Sequence, residues 1–166
     1  IKTSALGVMR DGGYAEYCLV PEKQCFVLPD EIDDVLGTQV ETLATVVNGM
    51  NTLQMLPYDY VMVIGFGPIG YLFSQFAKNI AAKVAVTEID PFRIEVAKRC
   101  GLTVWNPKEV DVVEKITEFT YGRKADIVIE ATGNDLATAL KCVTPGGKVL
   151  PFGMDSSITT TVVPNE

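Results

Sequence analysis

From Pro57 onward the apolar positions switch between short continuous runs and stripes at the helical period. Tyr60 to Ile64 is an apolar run of strand length, and the segment from Pro68 to about Asn79 follows with Ile69, Leu72, Phe73, Phe76 and Ile80 on one stripe. Lys83 to Glu88 predicts a second strand. Asp90 then caps a helix with Pro91 at its first position, where the missing N–H is unsatisfied in any case, and Gly101 stops it after Cys100. Thr103 to Trp105 predicts a short third strand, and Asn106 with Pro107 introduces a helix from Glu109 to about Phe119. Ala125 to Ala131 (ADIVIEA) predicts a fourth strand, whose nearly unbroken apolar centre suits a sheet covered on both faces. Asn134 is placed to cap another helix, ended by Pro145, Gly146 and Gly147, before a fifth strand from Lys148 to Phe152. Ser157 to Val163, rich in Thr, reads as an edge strand or an extended tail. Strands alternating with crossover helices imply parallel pairing, so the expected fold class is α/β, a doubly wound parallel sheet.

Ahead of this region, Gly12 to Val20 (GGYAEYCLV) alternates between two glycines and Pro21, and a second apolar piece, Phe26 to Leu28, stops at Pro29. Both predict a short stretch of β-structure. Val40, Leu43, Ala44, Val47 and Met50 then recur at the helical period, with Asp33 or Asp34 near the start and Pro57 beyond the end, and predict a helix bridging two structural units. No charged residue falls between Tyr60 and Ala77, a length that imitates a membrane span. Gly65, Gly67, Pro68 and Gly70 in its middle end a strand and begin a helix instead, so no membrane partner is expected.

The chain has 166 residues, 48% hydrophobic and 21% charged, which fits one compact domain and excludes a disordered or collagenous polymer. Its 14 Lys and Arg against 21 Asp and Glu give a net charge of −7, which repels phosphate backbones and argues against nucleic acid as a partner. Histidine is absent, which removes the commonest metal ligand and the usual neutral-pH base. Cys18, Cys25, Cys100 and Cys142 form no C-x-x-C pair; they read as small apolar residues of a cytoplasmic protein. The first residue is Ile1 and no signal-like leader opens the chain, which points to a fragment.

Gly65, Phe66, Gly67, Pro68, Ile69 and Gly70 match G-x-G-x-x-G. Three glycines alone are a weak signal, but these follow an apolar strand, open a helix and precede an acidic residue at the end of the next strand, the context of a Rossmann dinucleotide site. Gly65 permits the tight turn, Gly67 lets a pyrophosphate approach, and Gly70 lets the helix lie close to the strand. The free amides of Ile69 and Gly70 would hold the anion, while Pro68 presets the helical φ. Glu88 is placed to accept hydrogen bonds from both hydroxyls of an adenosine ribose and to repel a 2′-phosphate, favouring NAD over NADP; the alternative is a carboxylate that caps or pairs locally. Arg93 is either an exposed helix charge or a donor to the same ribose. Asp90 reads better as a helix cap. Glu41, in an otherwise uncharged stretch, is either solvated or reaches into a cleft, while Tyr14, Glu16 and Tyr17 have structural readings only.

Three stretches together resemble the zinc-dependent medium-chain alcohol and polyol dehydrogenases: DGGYAEYCLVPEKQCFVLPDEI, VETLATVVNGM, and VMVIGFGPIG through GGKVLPFGM. The resemblance implies that residues 1–34 are the closing part of a GroES-like catalytic domain. Residues 35–166 would be an NAD-binding Rossmann domain, truncated at its C-terminal end because only five of the usual six strands are predicted. It also implies Gly65, Gly67, Ile69 and Gly70 for the pyrophosphate, Glu88 and Arg93 for the ribose, Thr132 and Gly133 beside the cofactor, and Phe152, Gly153 and Met154 flanking the nicotinamide. Glu41 matches a glutamate that approaches the catalytic zinc in polyol-type members, here a lone metal ligand. The cysteine and histidine–glutamate segments that hold zinc in that family have no match, so zinc is expected in the full-length parent only, and no catalytic residue is assigned.

The implied activity is hydride transfer between a small-molecule alcohol or polyol and NAD, with the chain alone binding NAD(H) without turnover. A non-catalytic NAD-sensing module is the alternative, and a methyltransferase is disfavoured by the Pro68 to Gly70 arrangement. An apolar face left by the lost partner unit would favour a homo-oligomer, which nothing in the sequence requires.

Overall fold

The computed structural model describes residues 5–155 together with residues 157, 159 and 161. The chain divides into two compact units, Ile1–Gln39 and Val40–Glu166.

The first unit carries little regular structure among its described residues: a 3₁₀ turn at Glu22–Gln24 and a single helical turn, α1 (Asp34–Gly37). The strands expected between Gly12 and Leu28 do not form. A strand is stable only when neighbouring backbone takes up its N–H and C=O groups, and the unit's described residues offer only an isolated bridge between Leu6 and Arg10. Tyr14, Tyr17, Leu19, Phe26 and Val27 stand exposed as a result. Asp33 caps α1, its carboxylate accepting the Leu36 N–H at 2.8 Å, and that turn ends before Val40.

The second unit contains the sheet. Strands β1 (Tyr60–Ile64), β2 (Lys83–Thr87), β3 (Thr103–Trp105), β4 (Ala125–Glu130) and β5 (Val143–Pro151) lie in the order β3-β2-β1-β4-β5, and every pairing is parallel. The chain leaves the central strand toward one edge, then returns to fill the other side, which is the doubly wound arrangement. Helices α2 (Val40–Leu53), α3 (Pro68–Lys78), α4 (Pro91–Arg99), α5 (Val112–Phe119) and α6 (Leu136–Cys142) complete the unit.

Two apolar clusters account for the two covered faces. One gathers Val61, Val63, Val86, Ile127 and Ile129 with Phe73 and Ala77 of α3 and Val46, Met50 and Leu53 of α2. The other gathers Met62, Ile64 and Val128 with Ile116 of α5 and Ala139 and Cys142 of α6. Successive β1 residues alternate between the clusters, as the two-residue period of a strand requires. Burial pushes the Cys142 thiol up to about 11, so it behaves as an apolar side chain.

Four local expectations are corrected. The buried face of α2 is Val46, Gly49, Met50 and Leu53, whereas Val40, Leu43, Ala44 and Val47 are exposed. Both sides of this helix are apolar; the side that docks is the one carrying Gly49, where a Cβ would lie 2.9 Å from Cζ of Phe73. Helix α5 starts at Val112 because Asp111 caps it, accepting from the N–H of Val113 and Glu114, while Asn106 turns back on the Lys108 N–H. Asp135, not Asn134, occupies the cap position of α6; Asn134 donates its N–H to the Thr132 hydroxyl at 3.3 Å. Strand β5 begins at Val143, and the Pro145 to Gly147 signal marks the irregularity where the ladder jumps from Ala125↔Val143 to Ile127↔Lys148. The expected edge strand from Ser157 to Val163 lies largely outside the described residues.

Candidate functional site

The C-terminal end of β1 is where the sheet reverses its winding, and the turn into α3 crosses it. Gly65 adopts φ +89°, a region that side chains resist, and donates its N–H to the Thr87 carbonyl at 3.0 Å. Gly70 serves the close approach of helix to turn: a Cβ on it would stand 1.9 Å from the Gly65 carbonyl oxygen. Gly67 is different in kind. Its φ of −70° and ψ of −174° suit any residue, and a Cβ there would meet nothing nearer than an Arg93 guanidinium nitrogen at 3.7 Å. The protein's own packing does not need glycine at that position.

Gly67 is the N-cap of α3 and supplies no side-chain cap, and Pro68 at the first position has no N–H. Ile69 and Gly70 therefore present amides that the helix itself leaves without acceptors, at the positive end of its dipole. Ile69 also packs its side chain on the core.

Glu88 follows β2 directly and is only 7% exposed. Its Oε2 accepts the Phe66 N–H at 3.0 Å, inside the glycine turn, and its Oε1 accepts the N–H groups of Ile89 at 2.7 Å and Asp90 at 3.0 Å. Arg93 Nη1 lies 3.7 Å from Oε2, and its side chain is half exposed. A carboxylate offers about four lone-pair positions, so three amides leave room for about one more donor. These three bonds are the local capping role that is the alternative reading of Glu88. Asp90 caps α4 as expected, accepting the Arg93 N–H at 2.9 Å.

On the other side of β1, the loops after β4 and β5 meet. Gly133 adopts φ +86°, and Met154 backbone lies against it, so that a Cβ on Gly133 would be 2.8 Å from the Met154 carbonyl carbon. Gly153 sits equally close, and a Cβ on it would be 2.0 Å from the Gly133 nitrogen. The Phe152 ring turns toward the core, edge-to-face with Phe73 at 4.8 Å between centroids, while the Met154 side chain is 96% exposed. Sequence reasoning passed over Glu130, the last residue of β4. Its carboxylate is 2% exposed and accepts from both Thr132 and Gly133. The available signal was a charge closing an apolar strand, the same signal that picked out Glu88.

Glu41 is exposed in the first turn of α2, and the described residues contain no group of three His, Cys, Asp or Glu side chains placed to hold a metal. Together with the absence of histidine from the chain, this donor set does not fit zinc. A cavity of about 370 Å³, lined by Lys78, Lys83, Leu102 and Phe119 among others, opens at the N-terminal ends of β2 and β3, the end of the sheet opposite the glycine turn. No helix among the described residues is long and apolar enough to cross a membrane.

Residues 68–165 match the family model described as zinc-binding dehydrogenase. The chain belongs to the zinc-binding dehydrogenase family. Over 162 residues it is 30% identical to the L-threonine 3-dehydrogenase of Marinomonas sp. (strain MWYL1), covering 95% of this chain and 47% of that protein. It is 29% identical to the sorbitol dehydrogenase of Bacillus subtilis (strain 168) over 150 residues, 88% of this chain and 42% of that one. The chain thus spans about half the length of the curated relatives it matches.

Among solved structures, a zinc-binding dehydrogenase of Sinorhizobium meliloti 1021 bound to NADP superposes with a TM-score of 0.85 at 30% identity, over 96% of this chain and 49% of that one. The rspB alcohol dehydrogenase of E. coli CFT073, complexed with NADH, gives a TM-score of 0.84 at 27% identity, over 96% of this chain and 48% of that one. For this zinc-binding dehydrogenase chain, the residues at the β1 end fit a dinucleotide: a glycine that packing leaves open, two amides without helical acceptors, and a carboxylate beside them.

The two glycines should separate in a denaturation experiment. Gly70→Ala is expected to lower unfolding free energy by more than about 2 kcal/mol, since backbone must move. Gly67→Ala should change it by less than about 1 kcal/mol, the difference between these residues at a helix N-cap. Equal losses in urea titrations followed through Trp105 fluorescence would contradict this division of roles.

Proposed function

We propose that the chain is the cofactor-binding portion of a zinc-type medium-chain dehydrogenase that transfers a hydride between an alcohol or polyol and NAD. The chain on its own binds NAD(H) without turnover. The observation that carries this reading is Gly67, a glycine with an unremarkable backbone and no protein neighbour to crowd, at the mouth of a helix whose first amides are unpartnered. Such a position needs glycine only if something outside the chain comes close.

In this reading Gly65 shapes the turn, Gly67 admits the pyrophosphate, and the amides of Ile69 and Gly70 donate to it, with Pro68 holding the helix start in register. Glu88 accepts from the adenosine ribose, and Arg93, half exposed and beyond hydrogen-bond distance of the carboxylate, gives way or joins it. The negative charge of Glu88 supports NAD over NADP, because a 2′-phosphate would meet it. Thr132, Gly133, Phe152, Gly153 and Met154 border the nicotinamide end. A bound nicotinamide dinucleotide supplies hydride transfer. The cleft residues supply binding and orientation; the ligands that zinc needs are absent from this donor set, which supports binding without turnover.

Residues 1–34 are read as the closing part of a GroES-like catalytic domain, and residues 35–166 as the NAD-binding domain. The relatives' names support an alcohol or polyol as substrate of the whole protein, and the free cysteines support a cytoplasmic location.

Three measurements test the reading. Gly67→Val is expected to abolish NAD binding in a calorimetric titration while lowering the thermal unfolding midpoint by no more than a few degrees, the cost of a poorer N-cap; unaltered affinity would refute the loop assignment. Glu88→Gln should weaken NAD binding about tenfold and shrink the preference over NADP, as loss of a hydrogen bond to a charged group implies. The chain supplied with zinc, NAD and an alcohol should produce no NADH, and steady zinc-dependent oxidation would overturn the claim of binding without turnover.

A further inference from the structure

Glu130 ends β4, is 2% exposed, and has no part in the dinucleotide reading above. Its Oε1 accepts the Thr132 N–H at 2.8 Å and the Gly133 N–H at 2.9 Å, and the Thr132 hydroxyl donates to the same oxygen. Oε2 shares the Gly133 N–H at 3.0 Å. The backbone carbonyl of the same residue accepts the Phe152 N–H at 2.8 Å and the Gly153 N–H at 2.9 Å. One residue thus holds the start of the loop after β4 with its side chain and the start of the loop after β5 with its backbone.

The amides that Glu130 accepts lie beyond the ladder, so the charge serves the loop and not the strand pairing. An apolar residue would fill the end of a buried strand, whereas a buried carboxylate is tolerated only where donors are brought to it. The donors brought are Thr132 and Gly133, and Thr132 Cγ2 in turn lies where a Cβ on Gly65 would be 2.6 Å away. The order β3-β2-β1-β4-β5 puts Glu88 on one side of β1 and Glu130 on the other. A dinucleotide crossing the β1 turn at its pyrophosphate has its adenosine on the Glu88 side, and its remaining half falls to the loops that Glu130 holds.

We propose that Glu130 is a positioning residue for the nicotinamide end of the cleft, fixing Thr132, Gly133, Phe152 and Gly153 as one unit. The assignment rests on the NAD reading of this site. A role confined to folding would weaken every ligand alike; a positioning role on one side of β1 weakens only ligands that reach that side.

The test is a pair of titrations, NADH and ADP, on the whole chain and on Glu130→Gln. The variant keeps the shape but loses the charge that the loop amides face. NADH affinity should fall about tenfold, the effect of weakening hydrogen bonds to a charged group, and the emission of bound NADH should shift toward that of the free form. ADP affinity should stay within about twofold. Unchanged NADH affinity, or an equal loss on both ligands, overturns the assignment. A wild-type chain that binds neither ligand overturns the NAD reading and the assignment with it. If Glu130→Gln fails to fold, Thr132→Val, which removes only the hydroxyl, reads the same comparison: selective loss of NADH affinity is expected, and equal affinity or equal loss on both ligands refutes it.

Discussion

Helix α3 begins where it does because residue 70 carries no side chain. The Gly65 carbonyl oxygen occupies the space a Cβ would need, at 1.9 Å, so the first turn of the helix rests directly on the turn that leaves β1. Any larger residue would lift the helix, and with it Phe73 and Ala77, whose burial joins α3 to the sheet. The same contact aims the helix start across the end of the central strand. A packing constraint between two glycines therefore sets both the core on one face of the sheet and the direction in which unpartnered amides point.

Around that turn the two neighbouring strands end alike. Glu88 follows β2 and Glu130 closes β4, and each carboxylate, nearly buried, gathers backbone amides from chain that has just left the ladder. Parallel strands that stop together leave N–H groups that must find acceptors. A glutamate at the strand end meets this need and keeps the loop rigid, since charge-assisted bonds are stronger than neutral ones. β1 itself, between them, is followed by Gly65, and no carboxylate closes it. The site is a gap flanked by two anchored rims.

Much of this was legible in the sequence because the signals were local. Asp90 before Pro91, the apolar run of β4 and the glycine spacing each act within a few residues, and the structure places those elements where the spacing puts them. The failures share a cause. The docking face of α2 depended on Gly49 meeting Phe73, a contact no periodicity encodes. The strands expected after Gly12 depend on partners that the described residues of the first unit do not supply. The apolar pattern predicts the strand that Glu130 ends but not its role, because a buried carboxylate at a strand end reveals that role only when the amides around it are seen. The different duties of Gly67 and Gly70 were named from the motif, but only the distances distinguish a glycine that packing demands from one it leaves open.

Lys148 of β5 donates its ammonium to the Leu53 carbonyl at 2.5 Å, across 95 positions of sequence. The last turn of α2 thus receives an acceptor's partner from the final strand, and Leu150 of that strand also borders Gly49. During synthesis α2 emerges before any part of the sheet, yet the surface it settles on is incomplete until β5 has joined β4. The segment that begins this unit is thereby tied both to α3, through the core, and to the strand that closes the sheet.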